Sequence, residues 1–228
     1  MTTIDYKVSV IGAINEVRRK SKLPAVSTID QDSDSSLKLN YLNDVVAELS
    51  DYADWQELYA EAIVSVQTSV REYAVSGVLV QNIHEIAIST RKSALKRVSI
   101  DDIRQLQRVN NTGAPYHWSL KGITSEGNPV ITFDRWPTAS DGGYFNIGYY
   151  QKPSTYTTAD ASAVVPFPGR LVVQGLLTKT ILDESDGEPS TRYASNLEVY
   201  ENMKDETYNR FNGDTGGEVY FRPGTRRR

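Results

Sequence analysis

Side chains able to do acid–base chemistry near neutral pH are sparse in this chain. His84 and His117 are its two histidines. Neither has a second histidine three or four positions away, the spacing that would present two imidazoles to one metal. His84 lies beside Glu85 in a stretch that alternates like a strand, so packing or surface exposure explains it without catalysis. Adjacent carboxylates include Asp101-Asp102 and Asp183-Glu184. Acid and base work needs two carboxylates whose environments push their pKa values apart across a substrate. Asp101-Asp102 follows Ser99 at capping-box spacing, with Asp where Glu or Gln is usual, and reads as favourable charge at a helix N-terminus. Asp183-Glu184 falls at a helix end, where negative charge is mildly unfavourable and simply solvated. The G-x-S-x-G elbow, the P-loop and the G-x-G-x-x-G fingerprint are all absent. Asp141-Gly142-Gly143 is a turn and no phosphate cradle, since no helix follows it. The expectation is no catalytic, cofactor or metal site and no enzyme.

The C-terminal segment DTGGEVYFRPGTRRR is the most unusual local feature. It carries an apolar knot, Val219, Tyr220 and Phe221, followed by Arg222, Arg226, Arg227 and Arg228. One reading is a disordered end. The other is a docking arm, with the aromatic pair anchored in a partner groove and the arginines on its carboxylates. The same arginines suit nucleic acid, but the rest of the chain argues against that as the main partner. The chain as a whole has a net charge of −4 and a pI of about 5.3, without the basic signature of a nucleic-acid binder.

With 228 residues, 39% hydrophobic and 24% charged, the chain can bury one large core or two smaller ones. It has no cysteine, which excludes disulfides, thiolate metal sites and a cysteine nucleophile. No run approaches the roughly 20 apolar residues of a membrane helix, and no membrane partner is expected. The opening MTTIDYKVSVIGAINEVRRK lacks a basic start followed by an apolar core, so no signal peptide is expected and synthesis in a cytoplasm is the plain reading. Tyrosine, with 14 copies, outnumbers the other aromatics. Its apolar body and polar tip suit partly buried interfaces.

These side chains must be positioned by elements of two kinds. Val8, Ile11, Ile14 and Val17 recur at helical spacing, which predicts a helix from Ile4 to Ser21, stopped by Pro24. Leu42, Val45, Val46 and Leu49 form the stripe of a second helix, Asp34 to Asp51. Trp55 marks a buried anchor where helix gives way to sheet. From Ala62 the period changes: Val64, Val66, Thr68 and Val70 alternate with Ile63, Ser65, Gln67 and Ser69. Further strands are predicted at Glu72–Val75, Ile83–Ser89 and Leu95–Val98, and a short helix at Ile100–Val109. Tyr116–Tyr150 is the clearest β stretch. Val130 and Thr132 face one side and Ile131 and Phe133 the other, and Phe145, Ile147 and Tyr149 repeat the pattern. Ser154–Val165 is polar and reads as a linker. Pro168 then fits the first turn of a helix buried through Leu171, Val172, Leu176, Leu177, Thr180 and Ile181. Ser190 caps a last helix to Phe211. The predicted class is α+β: a helical bundle formed by N- and C-terminal helices with an inserted antiparallel β-sheet or sandwich module. The predicted organisation is an N-terminal helical part (1–60), a β-rich module (61–153), a C-terminal helical part (154–212) and an extended arm (213–228).

The order of these elements resembles the head-to-tail adaptor (collar, or connector) proteins of short-tailed bacteriophages. The residues that carry the resemblance run over most of the chain, from Tyr6 to Phe211. They include Ala13-Ile14-Asn15-Glu16-Val17-Arg18-Arg19 with Leu23-Pro24 after it, Asp54-Trp55, Arg71-Glu72-Tyr73 and Gly113-Ala114-Pro115-Tyr116. Phe133-Asp134-Arg135-Trp136-Pro137, Tyr149-Tyr150-Gln151-Lys152-Pro153 and Val165-Pro166-Phe167-Pro168 follow. A departure is that Tyr73 continues as Ala74-Val75-Ser76-Gly77, where the family turns through a proline. The resemblance implies a structural virion protein of the neck, assembled in the host cytoplasm. It implies a ring of about twelve copies beneath the portal, extending the DNA channel and offering a platform to tail and nozzle proteins. The implied partners are therefore further copies of the chain, the portal protein and tail components, with DNA passing without sequence-specific binding. Such a ring would carry 12 × −4 = −48, and an acidic lumen repels DNA phosphates. In the family a C-terminal arm commonly docks into the portal, a role the composition of Val219–Arg228 suits. The alternative reading is a β-sandwich binding module that takes carbohydrate or a cell surface on Trp118, Trp136 and the tyrosines.

Overall fold

The computed structural model describes residues 7–75, 80–89, 93–138 and 143–212. Along them run β1 (Lys7–Ser9), α1 (Val10–Lys20), α2 (Ser33–Tyr52), β2 (Tyr59–Ser65), β3 (Glu72–Ala74) and β4 (Val80–Ile88). Then come β5 (Lys96–Arg97), α3 (Ile100–Gln107), β6 (His117–Ile123), β7 (Pro129–Phe133), β8 (Tyr144–Gln151), β9 (Val164–Pro168), α4 (Gly169–Glu184) and α5 (Thr191–Asn212). The class is α+β. The chain forms two units: one from the described residues up to Leu58 and from Pro153 onwards, the other from Tyr59 to Lys152.

The helical unit is organised around α4. Its sequence, GRLVVQGLLTKTILDE, is apolar on most of its circumference, and Leu171, Val172, Leu176 and Ile181 are buried together with Val173, Gly175, Thr178 and Thr180. A helix buried on nearly all sides must lie inside its bundle. Accordingly α1, α2 and α5 all pack on it. Each large aliphatic side chain so buried contributes roughly 1.5–3 kcal/mol. Its two buried threonines turn their hydroxyls back to the preceding turn: Thr178 donates to Gln174 O at 2.9 Å and Thr180 to Leu176 O at 2.8 Å. Trp55 is fully buried, donates Nε1 to Leu49 O at 2.6 Å, and meets Phe167 and Tyr208 edge-on at 5.5 and 6.0 Å.

Two buried cations join elements distant in sequence. Arg18 donates to Asp32, Asp34, Ser35 Oγ and the carbonyl of Pro24, tying the end of α1 to the start of α2. Asp34 also holds the buried Lys38. Asp32 is the N-cap of α2 and accepts from the Ser35 amide at 2.7 Å and the Ser35 hydroxyl at 2.6 Å. The Ser35 hydroxyl first, then its amide and Arg18, hold the Asp32 carboxyl below the usual range. On the other flank Lys204 reaches Glu48 at 3.1 Å and Glu201 at 2.8 Å and lies over the rings of Tyr52 and Tyr200. This node clamps α5 to α2.

Three predicted boundaries change here. The first helix begins at Val10, because Lys7–Ser9 is spent in a strand antiparallel to β9 (residues 4–6 lie outside the described residues). The polar stretch 154–165 is built into the unit. It holds a short 3-10 turn, Thr158–Asp160, with a capping box between Thr157 and Asp160, and it continues into β9. Its carbonyls satisfy first-turn donors of α1, Val10 N to Ala163 O at 2.9 Å and Ile11 N to Ala161 O at 3.0 Å. Asn43 pins it to α2 through both backbone groups of Tyr156. Pro168 ends β9 and occupies the N-cap position of α4, one place earlier than the predicted first turn.

The β unit is a sandwich of two sheets, β2-β8-β4 and β3-β7-β6-β5. Their inner faces share one core, including Tyr73, Ile86, Trp118, Ile131, Phe145 and Ile147. Phe133 and Phe145 stack across it at 4.3 Å. The chain enters on Tyr59 and leaves after Tyr150, residues that pair directly in β2 and β8. β2 ends at Ser65, short of the predicted Val70. Tyr73 OH receives the Gln67 amide at 3.0 Å and Ser69 adopts φ 60°, so the segment turns there. One pairing departs from the antiparallel expectation. β5 runs parallel to β6, with α3 as the crossover between them. This explains Thr132. Strand alternation puts it opposite Ile131 and Phe133, yet it is 1% exposed, because Gln107 of α3 donates to its hydroxyl at 3.0 Å and to Phe133 O at 2.8 Å.

Candidate functional site

The two histidines sit in packing roles. His117 Nδ1 lies 3.1 Å from Asp134 Oδ2, and Asp134 Oδ1 accepts the amides of Tyr116 and His117 at 3.0 and 3.1 Å. The buried carboxylate thereby fixes the start of β6. Arg135 reaches its Oδ2 at 3.8 Å and lies over the ring of Tyr116. His84 is exposed and meets Tyr150 and Tyr59 edge-on at 5.7 and 6.4 Å. Burial, then Glu85 and Glu61, raise the Tyr59 hydroxyl above its ordinary range.

The carboxylate pairs are accounted for by the helices that carry them. Ser99 Oγ caps α3 by accepting the Asp102 amide at 3.1 Å, and donates to Asp102 Oδ2 at 2.7 Å; Asp101 meets Arg104 at 3.4 Å. Glu184 faces Arg192 at 3.4 Å. Burial raises the Tyr41 hydroxyl to about 12, with a hydrogen bond to Asp183 adding to the shift. No group of three or more His, Asp or Glu able to hold a metal occurs among the described residues. No helix among them is long and apolar enough to cross a membrane.

Trp118 is 1% exposed inside the sandwich, which removes it as a platform for a sugar. Trp136 is partly exposed, but Arg71 lies over its ring at 4.3 Å and its Nε1 donates to Asn110 Oδ1 at 3.0 Å. The predicted docking residues Val219, Tyr220, Phe221, Arg222, Arg226, Arg227 and Arg228 lie outside the described residues.

The concavity with a defined electrostatic character is in the helical unit. It measures about 600 Å³ and lies where β1 and α1 meet the start of α4. Lys7, Lys20 and Arg170 stand on it, all exposed, and none is in an ion pair among the described residues. Glu16 is also on its wall, but Arg19 holds that carboxylate at 2.5 and 3.1 Å and keeps it below the usual range. Gly12 and Gly169 leave backbone at the wall, and Met203 of α5 closes one side. The N-cap of α4, Pro168, offers no side-chain acceptor, so the first-turn amides of α4 add positive potential to the three cations. Such a surface can receive carboxylates.

Sequence reasoning missed this concavity. Its cations come from positions 7, 20 and 170, which share no motif or period. The signal that existed was Arg170, a cation in the first turn of a helix, where the macrodipole disfavours it.

A family model described as SU10 adaptor protein matches residues 10–227 of the chain. No curated protein matches it.

Proposed function

The chain belongs to the SU10 adaptor protein family, phage head-to-tail adaptors, and from that premise we propose that it is a non-enzymatic protein of the virion neck which forms a ring beneath the portal. In this reading the ring, about twelve copies, extends the DNA channel and presents a platform to tail and nozzle proteins. It is assembled in the host cytoplasm, and DNA passes through it without sequence-specific contact. The observation that carries the reading is the family match, which spans both units. The physical character of the molecule supports it. The acidic chain repels phosphate, and a helical unit joined to a rigid sandwich gives two unlike surfaces for unlike partners.

Electron microscopy of the purified chain mixed with the portal of the same phage tests this. The expected result is a ring of the chain stacked on the portal ring. A portal that stays bare at saturating chain would refute it. Within the same experiment, deletion of Glu218–Arg228 leaves the circular dichroism of the chain unchanged and weakens assembly onto the portal. Unchanged assembly after that deletion would remove the docking role of Val219–Arg228.

A further inference from the structure

Helix α4 carries its charges the wrong way round. Its first turn holds Arg170 and no acid, and its last turn holds Asp183 and Glu184 and no base. A helix N-terminus favours anions and its C-terminus cations, by about 0.3–1 kcal/mol each at a surface. The chain shows the favourable arrangement on α1, whose last turn is Arg18, Arg19 and Lys20. On α4 both ends contradict it, and each contradiction extends beyond the helix. At the N-terminal end Arg170 joins Lys7 and Lys20 around the concavity. At the C-terminal end the exposed turn continues the acidic run with Asp186 and Glu188. Asp183 and Glu184 are engaged by Tyr41 and Arg192. Asp186 and Glu188 are in no ion pair among the described residues. Backbone hydrogen bonds hold the turn: Gly187 N donates to Leu182 O at 3.0 Å and Glu188 N to Ser185 O at 2.9 Å.

The concavity and the turn therefore sit at opposite ends of one helix, about 25 Å apart at 1.5 Å per residue, with opposite charge. One is hollow and the other projects. A single molecule cannot bring them together, but two copies can.

The geometry points to a head-to-tail contact between copies of this chain, in which Asp186 and Glu188 of the α4–α5 turn of one copy enter the concavity of Lys7, Lys20 and Arg170 on the next. The inference rests on the ring reading above and names the surface that would build it. Such a contact is heterologous: each copy offers one of each surface, so it propagates and closes if the rotation allows. It also pairs the misplaced Arg170 of α4 with carboxylates and aligns the dipoles of successive α4 helices head to tail. The occupant is a second copy because the complementary surface is already present on the chain, on the same helix.

The absence of cysteine makes the test direct. The full-length chain with Arg170→Cys and Glu188→Cys is oxidised and run on a non-reducing gel. The two positions are too far apart to bridge within one molecule, since a disulfide needs Cα atoms within about 7 Å. A ladder of covalent multimers that collapses on reduction is expected, and either single-cysteine variant stops at dimers. Charge reversal supplies a second arm. One variant carries Lys20→Glu and Arg170→Glu. The other carries Glu188→Arg with Asp186→Asn, the Asn chosen because it tolerates the φ of 52° found at that position. Each alone self-associates roughly tenfold or more weakly than the native chain. Their equimolar mixture regains native association, because each then supplies the surface the other needs. No ladder, or a mixture as weak as its components, overturns the inference. A ring on the portal without the ladder overturns this contact and leaves the ring reading standing. The ladder without a ring on the portal keeps the contact and overturns the adaptor ring.

Discussion

Replacing Asp34 by Asn should destabilise the helical unit far more than replacing the lysine it holds. Lys38 is buried, with its side chain 3% exposed, and its ion pair is with Asp34, which is 37% exposed. In Asp34→Asn the shape is retained, and Arg18 keeps Asp32 at 2.9 Å. Lys38 alone loses its counter-charge. Breaking a buried pair from one side costs about 3–5 kcal/mol. Because Asp34 is itself partly hydrated, the lower half of the range applies, about 3 kcal/mol. In Lys38→Met the buried stem is replaced by one of similar volume, and Asp34 keeps both Arg18 and water, so the change is near zero, within about 1 kcal/mol. With a urea m-value of about 2 kcal/mol/M, the midpoint should fall by about 1.5 M in Asp34→Asn and by less than about 0.5 M in Lys38→Met. Urea unfolding followed by far-ultraviolet circular dichroism reads both, since the helices dominate that signal. Adding Asp34→Asn to the Lys38→Met chain should cost little more. Equal midpoints for the two single variants would refute the claim that Lys38 depends on Asp34 for its charge.

Gly175 sits where α4 passes Tyr200 and Val45, and a Cβ there would lie 2.8–2.9 Å from the Tyr200 ring and the Val45 side chain. Gly175→Ala should therefore lower the thermal midpoint, overpacking by about 1–3 kcal/mol outweighing the gain of about 1 kcal/mol in helix propensity; a raised midpoint in calorimetry would show that the contact relaxes freely. Acid should act on the helical unit through Asp32. Its carboxyl is held below the ordinary 3.8, so its stabilisation is complete above that value and is lost as pH falls through the lowered folded-state value. Asp32→Asn keeps the N-cap and removes the titration. Its urea midpoint should decline less steeply than that of the native chain below pH 3.8, and parallel declines would refute the assignment.

The local elements were legible in the sequence because their causes are local. The stripe Leu42, Val45, Val46 and Leu49 buries the face it predicts. Ser99 and Ser190 cap the helices they precede. Trp55 is fully buried, and Ile131, Phe133, Phe145 and Ile147 face one core. Periodicity, capping and turn residues act over a few positions, and their order along the chain was enough to suggest the family that the match to residues 10–227 then showed. The tertiary structure alone decided what depends on neighbours far away. Residues 154–165 have the composition of a linker, yet they are ordered because they supply acceptors to the open amides of α1. Thr132 has the pattern of an outward residue, yet it is buried because α3 crosses over it between parallel strands. α4 is apolar around most of its circumference, but which helices enclose it, α1, α2 and α5, follows only from the packing. Lys7, Lys20 and Arg170 mean nothing at their spacing; they become one charged concavity because α1 packs against the start of α4 and β1 pairs with the strand that leads into it.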